Sequence, residues 1–153
     1  MAYSTKLSDA LHLLVFVETG QGSDLSSEAI ARSLACNPAS VRQLMGRLRK
    51  AGLLASVTGH AMPRLARNAA DITMLDVYRA VEGDKPLLHL DTHTNPACGV
   101  GVNVQVVIGE HFQDVQRAAE EAMAHVTLAV IIEEFLERAG RAQSLADASP
   151  SAD

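Results

Sequence analysis

The chain has 153 residues, 48% of them apolar, and a net charge of −5, which suits one domain, or one with an appendage, around a buried core. No run approaches 18 uninterrupted apolar residues, and no basic segment precedes an apolar one at the N-terminus, so membrane spanning and secretion are excluded as first readings and a cytoplasmic protein is expected. Two cysteines, Cys36 and Cys98, cannot build a disulfide framework or a four-cysteine zinc site within one chain.

Leu7, Leu11, Leu14 and Val17 recur at spacings of four, three and three, which predicts an amphipathic helix over 5–19 that Gly20 and Gly22 stop. Ser26 and Ser27 can cap a short second helix carrying Ala29, Ile30 and Leu34 and ending near Cys36. Asn37 followed by Pro38 opens a third, because Asn caps free amides and proline loses no hydrogen bond at the first position. This helix should run from Pro38 to Ala51, with Val41, Leu44, Met45 and Leu48 inward and Gly52 as its stop. Its outer face carries Arg42, Gln43, Gly46, Arg47, Arg49 and Lys50.

Residues 53–57 read as a short strand, Gly59 to Pro63 as a turn and Arg64 to Arg67 as a returning strand. Two helices joined by a tight turn, the second apolar inside and basic outside, followed by a hairpin wing, describe a winged helix-turn-helix. The charge distribution agrees: residues 1–70 carry +4 and the remainder −9, and between Ser40 and Arg67 there are six basic side chains and no acidic one. Such a stretch is the footprint of a polyanion partner; the plain alternative is a solvated helix surface. In the major groove the start of the third helix would reach base edges, while its arginines and lysine would neutralise phosphates.

Ile72, Leu75, Val77, Tyr78 and Val81 predict a further helix over 71–81, capped by Asp71 or Thr73. Residues 83–101, with Gly83, Pro86, Pro96, Gly99 and Gly101, form a connection. From about Val102 a heptad-like seam follows, with Ile108, Phe112, Val115, Ala119, Ala122 and Val126 at spacings of four, three, four, three and four. A helix this long with a continuous stripe needs a partner, and a homodimer supplies one; packing within the chain is the alternative. Thr127 can cap a last helix through Leu128, Ile131 and Phe135 that Gly140 closes, and the tail from Arg141 to Asp153 should be disordered. The expected organisation is a DNA-binding unit over 1–82, a connecting loop over 83–101, dimerisation helices over 102–140 and a tail over 141–153. The fold class is mainly α with a small β-hairpin wing. No phosphate-cradling loop, nucleophile elbow or zincin helix points to an enzyme.

Several of these segments together resemble the Rrf2 family of bacterial transcription regulators, over nearly the whole chain to about Gly140. The matching stretches are Ser4-Thr5-Lys6 with Ala10-Leu11, Arg47-Leu48-Arg49-Lys50-Ala51-Gly52-Leu53, Leu65-Ala66-Arg67, Asp71-Ile72-Thr73-Met74-Leu75-Asp76-Val77 and Ala80-Val81-Glu82-Gly83. Asn95-Pro96-Ala97-Cys98-Gly99-Val100-Gly101 and Gln105 look like its cluster-free, YwnA-like branch. The resemblance implies a dimer on a palindromic operator of double-stranded DNA, with the long helix as the seam, and a repressor is expected. On this reading Arg42 and Gln43 are candidates for base reading, Ser4, Thr5, Lys6, Arg47, Arg49, Lys50, Arg64 and Arg67 candidates for phosphate, and Ser40 a further DNA-contact candidate. Three departures stand out. Only Cys98 lies where cluster-bearing relatives carry three cysteines, so no cofactor is expected. The wing reads Gly59-His60-Ala61-Met62-Pro63 instead of a glycine run. The recognition helix has Ser40-Val41-Arg42-Gln43 where many members have Tyr-Leu-Glu-Gln, and arginine can read guanine where glutamate cannot.

Cys36 lies beside the start of the recognition helix, where a thiolate is favoured by a helix dipole, and Cys98 lies in the loop before the long helix. A disulfide between Cys36 of one chain and Cys98 of the other would resemble the thiol switch of oxidant-sensing members; the alternative is that both merely pack. His89, His93 and Cys98 carry metal-ligating atoms but no recognised spacing, and His12 lies where one unusual relative uses a histidine ligand. All four are weak metal candidates. A dimeric protein–protein adaptor that has lost DNA binding is the reading from another class, and the basic stretch argues against it.

Overall fold

The computed structural model describes residues 4–57 and 60–148. In chain order it has helices α1 (Lys6–Thr19), α2 (Ser27–Leu34) and α3 (Pro38–Lys50), strands β1 (Leu54–Val57) and β2 (His60–Leu65), a 3-10 turn at Ala69–Asp71, then α4 (Met74–Glu82), α5 (Gly99–Ala124) and α6 (Leu128–Ala148). This is a winged helix-turn-helix followed by a pair of long helices.

The start signals act as the sequence suggests. Ser26 accepts from the Ala29 amide at 3.2 Å and Asn37 from the Ala39 amide at 2.8 Å, with Pro38 at the first position of α3. Thr73, not Asp71, caps α4, and it does so reciprocally: Thr73 accepts from the Asp76 amide at 3.1 Å and Asp76 from the Thr73 amide at 2.9 Å. Between α2 and α3 the chain turns through Ala35, whose φ of 51 is the one positive value outside glycine among the described residues. The amide of Cys36 bonds the Ala31 carbonyl at 3.0 Å, closing α2 and setting the tight turn that orients α3.

All four predicted inner residues of α3, Val41, Leu44, Met45 and Leu48, are buried. They meet Ala10, Leu13, Leu14 and Val17 of α1, Ile30 of α2, Val77 and Val81 of α4, and Leu128 of α6. The stripe expected on α1 is displaced: Leu7 and Leu11 sit at the edge of the core and Ala10 and Leu13 take the centre. Alternate choices were open because apolar residues fill more than half of that helix's circumference, and neighbours on several sides decide which are covered.

The wing also differs in its bounds. Strand β2 includes Pro63, which stands opposite Ser56, and it ends at Leu65; Ala66 still donates to the Leu53 carbonyl at 3.1 Å. A two-stranded hairpin is all edge, so a proline without an amide is tolerated where a turn was expected. The turn residue Gly59 lies outside the described residues.

At the other end, the turn between α5 and α6 is fastened to the head: Met74 donates to the Val126 carbonyl at 2.7 Å and Leu128 to the Ile72 carbonyl at 2.8 Å. Helix α6 then runs past Gly140 to Ala148, where a disordered tail from Arg141 was expected. Helix-forming Arg141, Ala142 and Gln143 continue it, with Arg141 bound to Glu137 at 3.4 Å and Ser144 donating to the Gly140 carbonyl at 3.0 Å. No described helix is long and apolar enough to cross a membrane.

Candidate nucleic-acid interface

The recognition helix α3 presents Ser40, Arg42, Gln43, Gly46, Arg47, Arg49 and Lys50 on its exposed side, opposite its buried face. At about 100° per residue, Arg42, Gln43, Gly46, Arg49 and Lys50 share one stripe and Arg47 lies to its side. Gly46 is at the centre of that stripe, and nothing lies within 4 Å of where a side chain would begin. The fold therefore has no packing reason for glycine there.

The structure divides the expected DNA contacts in two. Lys6, Ser40, Gln43, Arg49, Lys50 and Arg64 have no side-chain partner among the described residues. The others are engaged within the chain. Arg47 donates from Nη1 to the Val81 carbonyl at 2.8 Å, tying α3 to the end of α4. Arg67 lies 3.7 Å from Asp76 and donates to the Asp71 carbonyl at 3.4 Å. Ser4 donates to Glu82 and Thr5 to Asp9, the latter at 3.0 Å. Arg42 donates from Nη1 to Glu28 Oε1, across the helix-turn-helix, at 3.4 Å. The contact of Glu28 with Arg42 and the bare position at Gly46 were not among the features singled out from the sequence; a glycine in the middle of a polar helix face was the available signal for the second.

The two thiols are exposed and unpaired. Cys36 Sγ donates to the Asn37 carbonyl at 3.8 Å, beside the cap of α3. Cys98 is itself the cap of α5, its Sγ accepting from the Gly101 amide at 3.5 Å. The weak metal candidates do not converge: His12 bonds Ser33 at 2.9 Å and His93 lies 3.2 Å from Asp91, and no three described His, Cys, Asp or Glu residues form a metal-holding group.

Helix α5 buries no residue within its own chain. Of the predicted seam, Ile108, Phe112 and Ala119 are half-buried and Val115 and Ala122 exposed; Val126 falls beyond the helix, in the turn held to Met74. The loop over 83–98 packs on one side of α5, where Gln116 accepts from the Leu87 amide at 2.9 Å and donates to Glu120 at 2.8 Å. Arg79 of α4 reaches Glu120 at 3.1 Å. These bonds hold the Glu120 carboxyl below its usual range, the Gln116 hydrogen bond first and Arg79 next. The N-terminal turns of α5 leave Val100, Val102, Val104, Val106 and Val107 exposed.

A family model described as Rrf2, an iron-dependent transcriptional regulator, matches residues 3–134. YwnA of Bacillus subtilis (strain 168), provisionally named an HTH-type transcriptional regulator, is 37% identical over 125 residues, 82% of this chain and 92% of that protein. A crystal structure of a protein provisionally described as DNA-binding is 35% identical, with a TM-score of 0.68, covering 83% of this chain and 98% of its own. The oxidised form of Staphylococcus aureus CymR is 26% identical, with a TM-score of 0.60, covering 87% of this chain and 97% of its own.

Proposed function

Because this chain belongs to the Rrf2 family of DNA-binding transcriptional regulators, we propose that it is a repressor acting as a homodimer on a palindromic operator, in the cytoplasm, and that its signal is thiol oxidation. The observation that carries the DNA-binding geometry is the stripe on α3, where unpartnered Gln43, Arg49 and Lys50 flank Arg42 and the side-chain-free Gly46. Arg42 and Gln43 read base edges; Arg49, Lys50, Lys6 and the wing's Arg64 hold phosphates. The dimer is supported by a 26-residue helix none of whose residues is fully buried in its own chain. Two-fold symmetry of the protein then matches two-fold symmetry of the site.

The thiol signal is supported by the exposure of Cys36 and Cys98 and by their positions at the starts of α3 and α5, one at the reading head and one at the dimer seam. The iron in the family description does not fit this chain's donor set: its two cysteines lie on separate elements and no three candidate ligands converge among the described residues. A bound cluster therefore has no part in the proposal.

Binding of the purified protein to its own upstream DNA, with and without a mild oxidant, tests the whole reading alongside non-reducing gels of wild type, Cys36→Ser and Cys98→Ser. The expected result is release of DNA on oxidation together with a covalent dimer, both abolished by either substitution. DNA binding indifferent to oxidant removes the thiol signal; absence of binding in both states removes the operator assignment. Within the interface, Arg42→Ala should lower discrimination between operators by about five- to a hundredfold. Arg49→Ala should weaken all sequences alike and reduce the salt slope by about one.

A further inference from the structure

Arg42 is the one base-reading candidate that the fold already holds. Its guanidinium Nη1 lies 3.4 Å from Glu28 Oε1, and the two residues come from different helices of the head. An exposed pair of this kind, 57% and 60% accessible, contributes little to stability. Its consequence for Arg42 is geometric. The guanidinium is a planar fork of five donors. With Nη1 turned to Glu28, the edge formed by Nε and Nη2 stays open, and two parallel donors of that spacing match O6 and N7 of guanine. A free arginine loses rotamer freedom when it is fixed, and a tether at one corner removes part of that loss before DNA arrives. The neighbouring α2 cation, Arg32, is occupied by Asp24 at 3.8 Å, so Glu28 serves Arg42.

We infer that Glu28 is a positioning residue for sequence recognition, holding Arg42 so that its Nε–Nη2 edge meets a guanine in the major groove. This rests on the reading of Arg42 as a base contact. It also separates Arg42 from Arg49 and Lys50: a neutralised guanidinium adds specificity and little phosphate attraction, whereas unpartnered cations do the reverse. Glu28 also lies in the first turn of α2, where a carboxylate favours the helix dipole, so its structural part has to be told apart from its part in recognition.

Sites selected from a random duplex library by wild type, Arg42→Ala and Glu28→Gln, followed by affinities for single-base variants of the selected site, make that separation. Arg42→Ala should abolish a guanine preference at one position of each half-site. Glu28→Gln should weaken the same preference about three- to tenfold, leave the others unchanged, and add nothing in the Arg42→Ala background. Replacing that guanine by 7-deazaguanine, which lacks the N7 acceptor, should make wild type and Glu28→Gln equal, a result that loss of helix stability would not give. If Arg42→Ala relaxes a position and Glu28→Gln does not, or if Glu28→Gln tightens all sequences alike, the positioning role is overturned while base reading stands. If Arg42→Ala weakens every sequence equally, the base-reading assignment itself fails.

Discussion

At the scale of single residues, Gly46 sets stability against function. Glycine inside a helix costs about 0.8–1 kcal/mol relative to alanine, and open space around Gly46 shows that no neighbour requires it. On the proposed reading of that stripe as groove-facing, its place between Arg42 and Arg49 would account for it: a bare backbone would let the helix sit closer to the DNA. Gly46→Ala should raise the melting temperature by about 2–4 °C, since the change approaches 1 kcal/mol in a chain of this size, while weakening operator binding. Calorimetry and fluorescence anisotropy on the same preparation check both halves; gain or loss in both together would refute the assignment. The basic stretch, the cap at Asn37 and the inner face of α3 were all legible in the sequence, because charge and 3.6-residue periodicity are local properties. The occupation of Arg47 by the Val81 carbonyl and of Arg67 by Asp76 was not, because those partners are brought near only by packing of α4 on the head.

Among elements, the junction between head and long helix depends on Tyr78, Gln116, Glu120 and Arg79. Tyr78 donates to the Lys85 carbonyl at 2.9 Å and Gln116 grips the Leu87 amide, so the connecting loop, α4 and α5 share one polar clasp. Sequence breakers marked the loop correctly as a connection, but periodicity cannot foretell a glutamine that holds it. Because the Glu120 carboxyl titrates below its usual range when folded, its contribution is present above the ordinary carboxyl value of 4.5 and is lost as pH falls through the lowered one. Urea unfolding of wild type and Glu120→Gln should show a stability gap near neutrality that closes as the medium is acidified through the lowered carboxyl range; a gap independent of pH would mean the carboxylate's charge is not what the clasp uses. The wing's bounds and the length of α6 were misjudged for a common reason. Breakers such as Pro63 and Gly140 act by local conformation, and each stands where the local cost is small: an edge strand in one case and an exposed helix with its own side-chain bonds in the other.

For the whole molecule, the decisive feature is that the head buries its apolar residues within one chain and the long helix does not. Val115, 49% exposed on the proposed seam, is the place to separate folding from association. Val115→Asp should leave the melting of the head unchanged and convert the protein to monomers in sedimentation velocity at micromolar concentration, with loss of tight operator binding; a dimer that persists would move the interface elsewhere. A regulator whose operator-binding form needs two chains also measures its own abundance. Well below the dimer dissociation constant, operator occupancy rises with the square of the number of chains rather than in proportion to it. With the uncovered face of α5 as the proposed dimer seam, occupancy would therefore change more steeply than synthesis itself, falling as growth dilutes the chain and recovering as production rises.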